Sequence, residues 1–328
     1  MNSFGTLFRI SIYGESHGKG VGVLIDGCPP GIPLTQQDFV ADLNRRKPGK
    51  PGTTPRKEPD VPQIQSGIFK EKTTGAPIHI FFENTNTRSR DYDQQIHIPR
   101  PGHADFTAMK KYRGFHDHRG GGHFSGRLTL GIVAAGVIAK KIIQPVSVAA
   151  VLQEAGGTTD IEMAVQTALE NGDSVGGLIE CIAKNIPVGL GEPFFNSVES
   201  HLSHMIFSIP AIKGIEFGAG FKAASMKGSE HNDPIVNIEG QTATNHAGGI
   251  NGGISNGNDL IFRVAVKPTS SISVGQRTIN LKTGKMEELR IEGRHDACIA
   301  LRVPPVIEAA TAIVLADLML INKGYRQI

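Results

Sequence analysis

From Thr6 to Ile12 apolar and polar positions alternate, with Leu7 or Phe8, Ile10 and Ile12 on the apolar side, and Val21–Ile25 forms a second short apolar run. Patterning of this period and length predicts two strands, and the intervening GESHGKG makes the pair a hairpin with an elaborate connection. Thr35 followed by Asp38 predicts a helix start, with Phe39, Val40 and Leu43 on one face and Arg45, Arg46 and Lys47 in the last turn. Ile64–Phe69 and Ala76–Glu83 predict further strands. Ser125 to Ile143 predicts a buried helix carrying Leu128, Leu130, Ile132, Val133, Val137, Ile138 and Ile142, with Ser125 as its N-cap. Strands at Val146–Leu152 and Leu178–Ile186 flank a helix at 160–170. A helix at 197–207, strands at 235–238 and 260–266, and a final helix over 305–322, apolar on most faces, complete the pattern. Residues 47–62, KPGKPGTTPRKEPDVP, hold five prolines and predict a mobile loop, while 84–124 has little periodicity and reads as a flexible loop region. Two nearly all-apolar helices among many short strands predict an α+β fold with internal helices enclosed by antiparallel sheets, not a parallel doubly wound sheet.

Composition narrows the classes. Lys plus Arg is 34 and Asp plus Glu 31, so the net charge of +3 gives no footprint for nucleic acid. A hydrophobic share of 39% with 20% charge fits a globular chain. Cys28, Cys181 and Cys298 lie far apart and form neither a disulfide framework nor a CxxC pair, which points to a reducing, cytoplasmic setting. MNSFGTLFRISIYG has no basic stretch followed by an apolar core and does not read as a signal peptide. The longest apolar run, near 304–322, is interrupted by Pro304, Pro305, Glu308 and Asp317, so no membrane span is expected. Glycine stands out: 40 in 328 residues, against ~7% in an average protein. The glycines cluster in GESHGKGVG, RGGGHFSG and HAGGINGGISNG. Such density suits backbone that approaches a ligand closely, or a strand-rich fold with many tight turns.

The candidate chemistry sits in those clusters. His17 lies in the first glycine loop beside Glu15 and Ser16, His103 lies in RPGHAD, and His116, His118 and His123 crowd HDHRGGGH. Histidine changes charge near neutrality and is the usual general acid or base. HDHRGGGH also permits a metal reading, but neither HExxH nor a paired-Cys motif accompanies it. Arg45, Arg46, Arg100, Arg127, Lys267 and Arg294 stand beside Gly, Pro, Ser or His, a setting suited to gripping carboxylate or phosphate. No Walker A motif is present and no GxGxxG opens a strand–helix unit, so ATP and dinucleotide readings are poor.

In order along the chain, FRISIYGESHGKGVGVLIDGCPPGIPL, RPGHAD, NHAGGINGGISNG, KPTSSIS and GRHDACIALR resemble the blocks of the chorismate synthase family, spread from residue 8 to about 317. The resemblance implies a single domain over 1–328, a β-α-β sandwich, a cytoplasmic homotetramer and tightly bound reduced FMN, with NADPH as an external reductant. It also implies the reaction: anti-1,4-elimination of phosphate from 5-enolpyruvylshikimate 3-phosphate to give chorismate, the last step of the shikimate pathway. By position, His17 would protonate the departing phosphate, and His103 would protonate or stabilise the reduced flavin. Asp296 would assist proton removal, with Ser16 and Ser125 supporting the relay. Arg46, Arg100, Arg127 and Arg294 would hold substrate charges. His123, Phe124, Ser125, Ala211, Gly252, Lys267, Pro268, Thr269, Ser270, Ser271 and Arg294 would line the flavin site.

Some positions depart from the family. Its RSSAR block is HFSGR at 123–127, its Asn-Ala pair is Pro210-Ala211, and its GRHDPC is GRHDAC. An arginine usual in the 47–57 loop is missing, and the stretch around 150–175 is short. The proposed acid–base set is intact, which favours an active enzyme over a non-catalytic flavin- or phospholigand-binding paralogue, or a His-loop metalloenzyme.

Overall fold

The computed structural model describes residues 2–56, 58–86, 97–291 and 295–325. Strand β1 (Ser3–Phe4) adds to the outside of the predicted hairpin, in which β2 (Arg9–Gly14) runs antiparallel to β3 (Gly20–Asp26) with Gly14 opposite Val21. At the first helix the Thr35 N–H and hydroxyl donate to the Asp38 carboxylate at 2.7 and 3.1 Å, and a 3-10 turn, Gln36–Phe39, runs into α1 (Val40–Arg46). Phe39 and Leu43 are buried as predicted, but Val40 is exposed, because the change from 3-10 to α winding rotates it off the core face.

The predicted strand Ile64–Phe69 is broken at Gly67, whose φ of +84° turns the chain. It becomes β4 (Gln63–Ile64) and β5 (Ile68–Phe69), and β5 folds back onto β6 (Lys72–Thr73). Strand β7 (Ile78–Glu83) joins β3 to β4, completing a first sheet of order β1-β2-β3-β7-β4, antiparallel throughout. Its inner face is Val21, Val23, Ile25, Ile78, Ile80 and Phe82, all buried.

A short helix, α2 (Asp105–Lys111), interrupts the region read as loop; only Ala108 of it is buried, too little apolar surface to leave a periodic signal. Helix α3 (Thr129–Ile142) follows a 3-10 turn capped by Ser125, as expected. Then come β8 (Ser147–Ala155), α4 (Ile161–Glu170), β9 (Gly177–Lys184), α5 (Val198–Phe207), β10 (Ile212–Phe217), α6 (Gly228–His231), β11 (Ile250–Asn251), β12 (Ile254–Ser255), β13 (Leu260–Val266), β14 (Gln276–Ile279), β15 (Met286–Leu289) and α7 (Pro304–Tyr325). The second sheet has the order β10-β13-β9-β8, again antiparallel, and buries Ile179, Cys181, Ala183, Leu260, Phe262, Val264 and Val266. The strand expected at 235–238 is absent: Ile235 makes only an isolated bridge to Thr242, and Ile235, Val236 and Ile238 are exposed because no strand or helix covers them.

Between the sheets lie α3 and α7, packed on each other, α3 against β3 and α7 against β8 and β9. This is the enclosed-helix α+β architecture. A Cβ on Gly136 would come within 2.3 Å of the Ala309 Cβ, so glycine lets the two helices approach closely. By length and composition α7 matches a membrane-crossing helix, contrary to the sequence expectation, yet 83% of its apolar window is buried within the protein. Its charges are structural. Glu308 binds the Arg45 guanidinium through two contacts of 2.7 Å and accepts the Ala150 N–H at 3.0 Å, and Asp317 accepts the N–H groups of Thr6, Leu7 and Phe8.

The 47–62 segment, expected as a mobile loop, is tied to the body: Gly52 C=O accepts the N–H groups of Ala297 and Cys298 at 2.8 and 3.1 Å, and Glu58 and Asp60 are buried. Part of the region 84–124, expected to be flexible, lies outside the described residues, as does Lys57.

Candidate active site

The β2–β3 connection, the 47–62 segment, the loop before α2, the start of α3 and the segments 267–271 and 295–303 converge on one cavity of about 780 Å³. The glycine turn 119–124 explains part of this convergence. Gly120, Gly121 and Gly122 all have positive φ, which only glycine adopts without strain in succession. A Cβ on Gly120 would come within 2.0 Å of the His17 ring, and one on Gly121 within 3.5 Å of His103 Cε1 and Nε2. The turn therefore lies against both histidines. Burial, with the nearby Arg56 charge, pushes His17 below its ordinary pKa, while a hydrogen bond to the Arg119 backbone works the other way. Ser16, also buried, accepts Arg56 Nη1 on its hydroxyl at 3.0 Å and Arg56 Nη2 on its carbonyl at 3.1 Å.

Below His17 runs a chain of alternating charge. Asp60 accepts Arg127 Nη1 at 2.5 Å and Arg46 Nη2 at 3.2 Å, with all three side chains buried. Burial pushes the Arg46 guanidinium down to about 10, opposed by Asp60, so it remains charged at neutral pH. Arg127 Nε donates to Asn84 Oδ1 at 2.9 Å. Burial works to raise Glu58, but the Thr85 N–H and Arg56 outweigh it and hold the carboxyl at about 2. Asp296 accepts the Thr54 N–H at 2.9 Å and Arg302 Nη1 at 3.1 Å. This wall carries four guanidiniums and three carboxylates, a small positive surplus suited to an anionic ligand.

On the opposite side the RPGHAD loop is pinned to KPTSS. Lys267 Nζ and Ser270 Oγ donate to Gly102 C=O at 2.9 and 2.8 Å, and Arg100 Nη1 donates to Ser271 Oγ at 3.0 Å. Burial pushes the neighbouring His295 down to about 4, with Arg100 adding to the effect, so it is neutral at pH 7.

Of the residues anticipated from sequence, Ser16, His17, Arg46, Arg100, His103, His123, Phe124, Ser125, Arg127, Ala211, Lys267 through Ser271 and Asp296 all line this cavity. Gly252 does not: it sits in the exposed turn between β11 and β12. Arg294 lies outside the described residues. Arg100 differs from expectation in what it does, since most of its donors point at protein groups. His116 and His118 are not part of the lining, and His123 bonds the Gly14 carbonyl at 2.8 Å. Among the described residues no group of three or more His, Cys, Asp or Glu is arranged to hold a metal. Thr54, Arg56, Glu58, Asp60, His295 and Arg302 are lining residues to which the sequence assigned no role. The one signal for the first four was the density of charge inside a proline-rich stretch.

Comparison with known proteins gives one answer. The family model described as chorismate synthase matches residues 8–320. A chorismate synthase of Chitinophaga pinensis is 64% identical over 324 residues, covering 98% of each chain. One from Methanocaldococcus jannaschii is 44% identical, covering 98% of this chain and 96% of its own. A crystal structure of a chorismate synthase superposes with a TM-score of 0.74 at 25% identity, over 98% of this chain and 94% of the other. With matches of this extent in sequence and in fold, the chain belongs to the chorismate synthase family.

Proposed function

We propose that this protein converts 5-enolpyruvylshikimate 3-phosphate into chorismate by anti-1,4-elimination of phosphate, with reduced FMN as cofactor and no net redox change. The observation that carries this reading is the convergence of His17, His103 and Asp296 on one arginine-rich cavity. The lining also fits the two ligands. Arg46 Nε, Thr269 Oγ1 and His295 Nε2 are buried side-chain atoms with no partner among the described residues, all on the cavity wall, where a polar ligand would satisfy them. Ile10, Ile12, Met205, Ile209 and Pro210 supply an apolar stretch for a flat ring system.

The substrate carries a phosphate and two carboxylates. Arg46, Arg127 and Arg302 hold these charges, their positions fixed by Asp60 and Asp296. Burial and the Arg56 charge favour the neutral form of His17. An arriving phosphate adds negative charge beside it and favours its protonated form, so the histidine acquires its proton as the leaving group binds and delivers it to the departing oxygen. Ser16, fixed by Arg56, braces this end. Asp296 assists removal of the proton from the substrate carbon. Reduced flavin, when bound, supplies electron density to the elimination and recovers it. The segment 267–271, Ala211, Phe124 and Ser125 would hold the flavin, with His103 beside it. The chain has no dinucleotide fingerprint, so reducing equivalents are proposed to come from outside it, with NADPH as the external source. Cytoplasmic location and homotetrameric assembly are proposed from family membership.

The test is anaerobic incubation of the pure protein with chemically reduced FMN and 5-enolpyruvylshikimate 3-phosphate. Chorismate and phosphate are expected to appear in equal amounts. Flavin binding without either product would instead support a ligand-binding paralogue, whereas no product and no flavin binding would put the fault at the His123, Phe124 and Pro210 positions.

A further inference from the structure

We infer that Asp105 positions His103: its carboxylate takes up one ring nitrogen and leaves the other for the cavity, while Arg100 serves this clamp instead of gripping substrate. Asp105 Oδ1 lies 2.6 Å from His103 Nδ1. Arg100 locks the carboxylate from the other side, with Nε to Oδ2 at 2.7 Å, Nη2 to Oδ1 at 2.8 Å and its backbone N–H to Oδ2 at 3.0 Å. Asp105 opens α2, where an acidic residue ordinarily serves the helix N-terminus. Here its hydrogen bonds come from Arg100 and His103, upstream of the helix, so the carboxylate faces back into the RPGHAD loop.

Proton inventory then fixes the ring. Burial works to raise the Asp105 carboxyl, yet the bonds from Arg100 and His103 hold it well below the ordinary carboxylate range, so it is ionised at any working pH. An ionised carboxylate only accepts. His103 Nδ1 must therefore carry a hydrogen directed at Asp105, and the 3.0 Å approach of Arg100 Nη2 to Nδ1 is a packing contact, since neither atom accepts. Nε2 is left as the nitrogen that meets the ligand: an acceptor in the neutral ring, a donor in the charged one. The rest of the surroundings hold the loop still. Lys267 and Ser270 bind Gly102, Ser271 binds Arg100, and His295 lies close enough to feel the charge of both Arg100 and His103. Carboxylate-oriented histidines elsewhere follow the same logic, in which the second partner decides which nitrogen does the work.

The inference deepens the proposed function by naming the atom of His103 that acts, and its test separates from that reading. Asp105→Asn keeps the shape but cannot serve both neighbours. Arg100 demands the amide oxygen, which turns the NH2 toward Nδ1 and forces the ring proton onto Nε2. The full-length wild type, Asp105→Asn, Asp105→Glu, His103→Ala and the double variant His103→Ala/Asp105→Asn are compared by turnover with reduced FMN, by equilibrium FMN binding and by 15N spectra of the labelled histidine ring. Expected are a loss of about 10- to 100-fold in kcat for Asp105→Asn with little change in KM, and recovery of most of it in Asp105→Glu. In the His103→Ala background Asp105→Asn should add less than about twofold. The wild-type ring should carry its hydrogen on Nδ1, and the Asp105→Asn ring on Nε2. An equal loss in the presence and absence of His103 would show that Asp105 only braces the loop and would overturn the inference, as would a wild-type ring protonated on Nε2 alone. Should the wild type make no chorismate, the proposed function fails, but the ring spectra and the FMN affinities still decide this inference.

Discussion

His17 and Arg56 illustrate how the site is tuned one side chain at a time. In the structure the guanidinium lies close enough to depress the histidine, and it also braces Ser16 beneath it. On the proposed mechanism, acid catalysis by His17 is present below its pKa and is lost as pH rises through it. Removing the positive charge in Arg56→Gln lets that pKa climb back toward its ordinary value, and the released Glu58 carboxylate pushes the same way. The descending limb of kcat/KM against pH is therefore expected at higher pH in Arg56→Gln than in the wild type. The substrate's own ionisation is common to both proteins and cancels. A limb that stays put or moves down would remove Arg56 from this role. At this scale the sequence was readable where a motif carries its own chemistry, as in GESHGKG and RPGHAD. Asp60 was not readable: its meaning lies in Arg46 and Arg127, 14 and 67 residues away, and no spacing rule links such partners.

Helix α3 is legible as an element because it is buried on nearly every side, and a run of apolar residues of helical length admits few other readings. Its glycines are less obvious. Gly131 sits 3.2 Å, measured from a Cβ built on it, from the Gly22 carbonyl of β3, and Gly136 faces Ala309 of α7. In an exposed helix Gly→Ala stabilises by up to about 1 kcal/mol. At Gly136 the new methyl would lie 2.5 Å from the Ala309 Cα and must force the helices apart. Overpacking should outweigh propensity, so Gly136→Ala is expected to lower stability by about 1–3 kcal/mol, measured by denaturant unfolding. An increase in stability would mean that α3 and α7 are free to separate. The reverse lesson comes from residues 235–238: Ile235, Val236 and Ile238 have the alternation of a strand, but no partner edge lies beside them. Alternation describes a surface, and only pairing makes a strand.

Across the whole molecule, several buried ionisable groups make stability fall as the solution is acidified. Glu58, Asp105 and Glu308 have depressed pKa values in the fold, so the stability they contribute is present above the ordinary carboxylate range and is lost as pH falls through it. His295 acts earlier. Its folded value of about 4 lies below its ordinary 6.5, so between those limits the unfolded chain binds a proton that the folded one refuses. Stability should thus decline from near pH 6.5 downward and steepen below about pH 4.5, with His295 accounting for on the order of 2 kcal/mol. His295→Asn should flatten the decline between pH 6.5 and 4 in denaturant melts of the ligand-free protein, leaving the steeper acid limb unchanged. An unaltered slope in that window would show that His295 is solvated in the folded state.

The sequence by itself determined the family, most of the elements and the acid–base candidates, because each is encoded locally: a period of apolar residues, a cap, a histidine among glycines. It also set the enclosed-helix class, since two helices apolar all round must be covered on both sides. Tertiary structure alone decided which charges belong to the site and which to the scaffold. Arg45 and Arg46 are adjacent, yet one binds Glu308 on α7 and the other Asp60 at the cavity. Arg100, read as a substrate ligand, lines the cavity while bonding Asp105 and Ser271, and the 47–62 stretch, read as a mobile loop, supplied part of the cavity wall. The physical reason is the same in each case. The hydrophobic pattern acts over neighbouring residues, whereas an ion pair or a buried hydrogen bond depends on groups that only the completed fold brings within hydrogen-bonding reach.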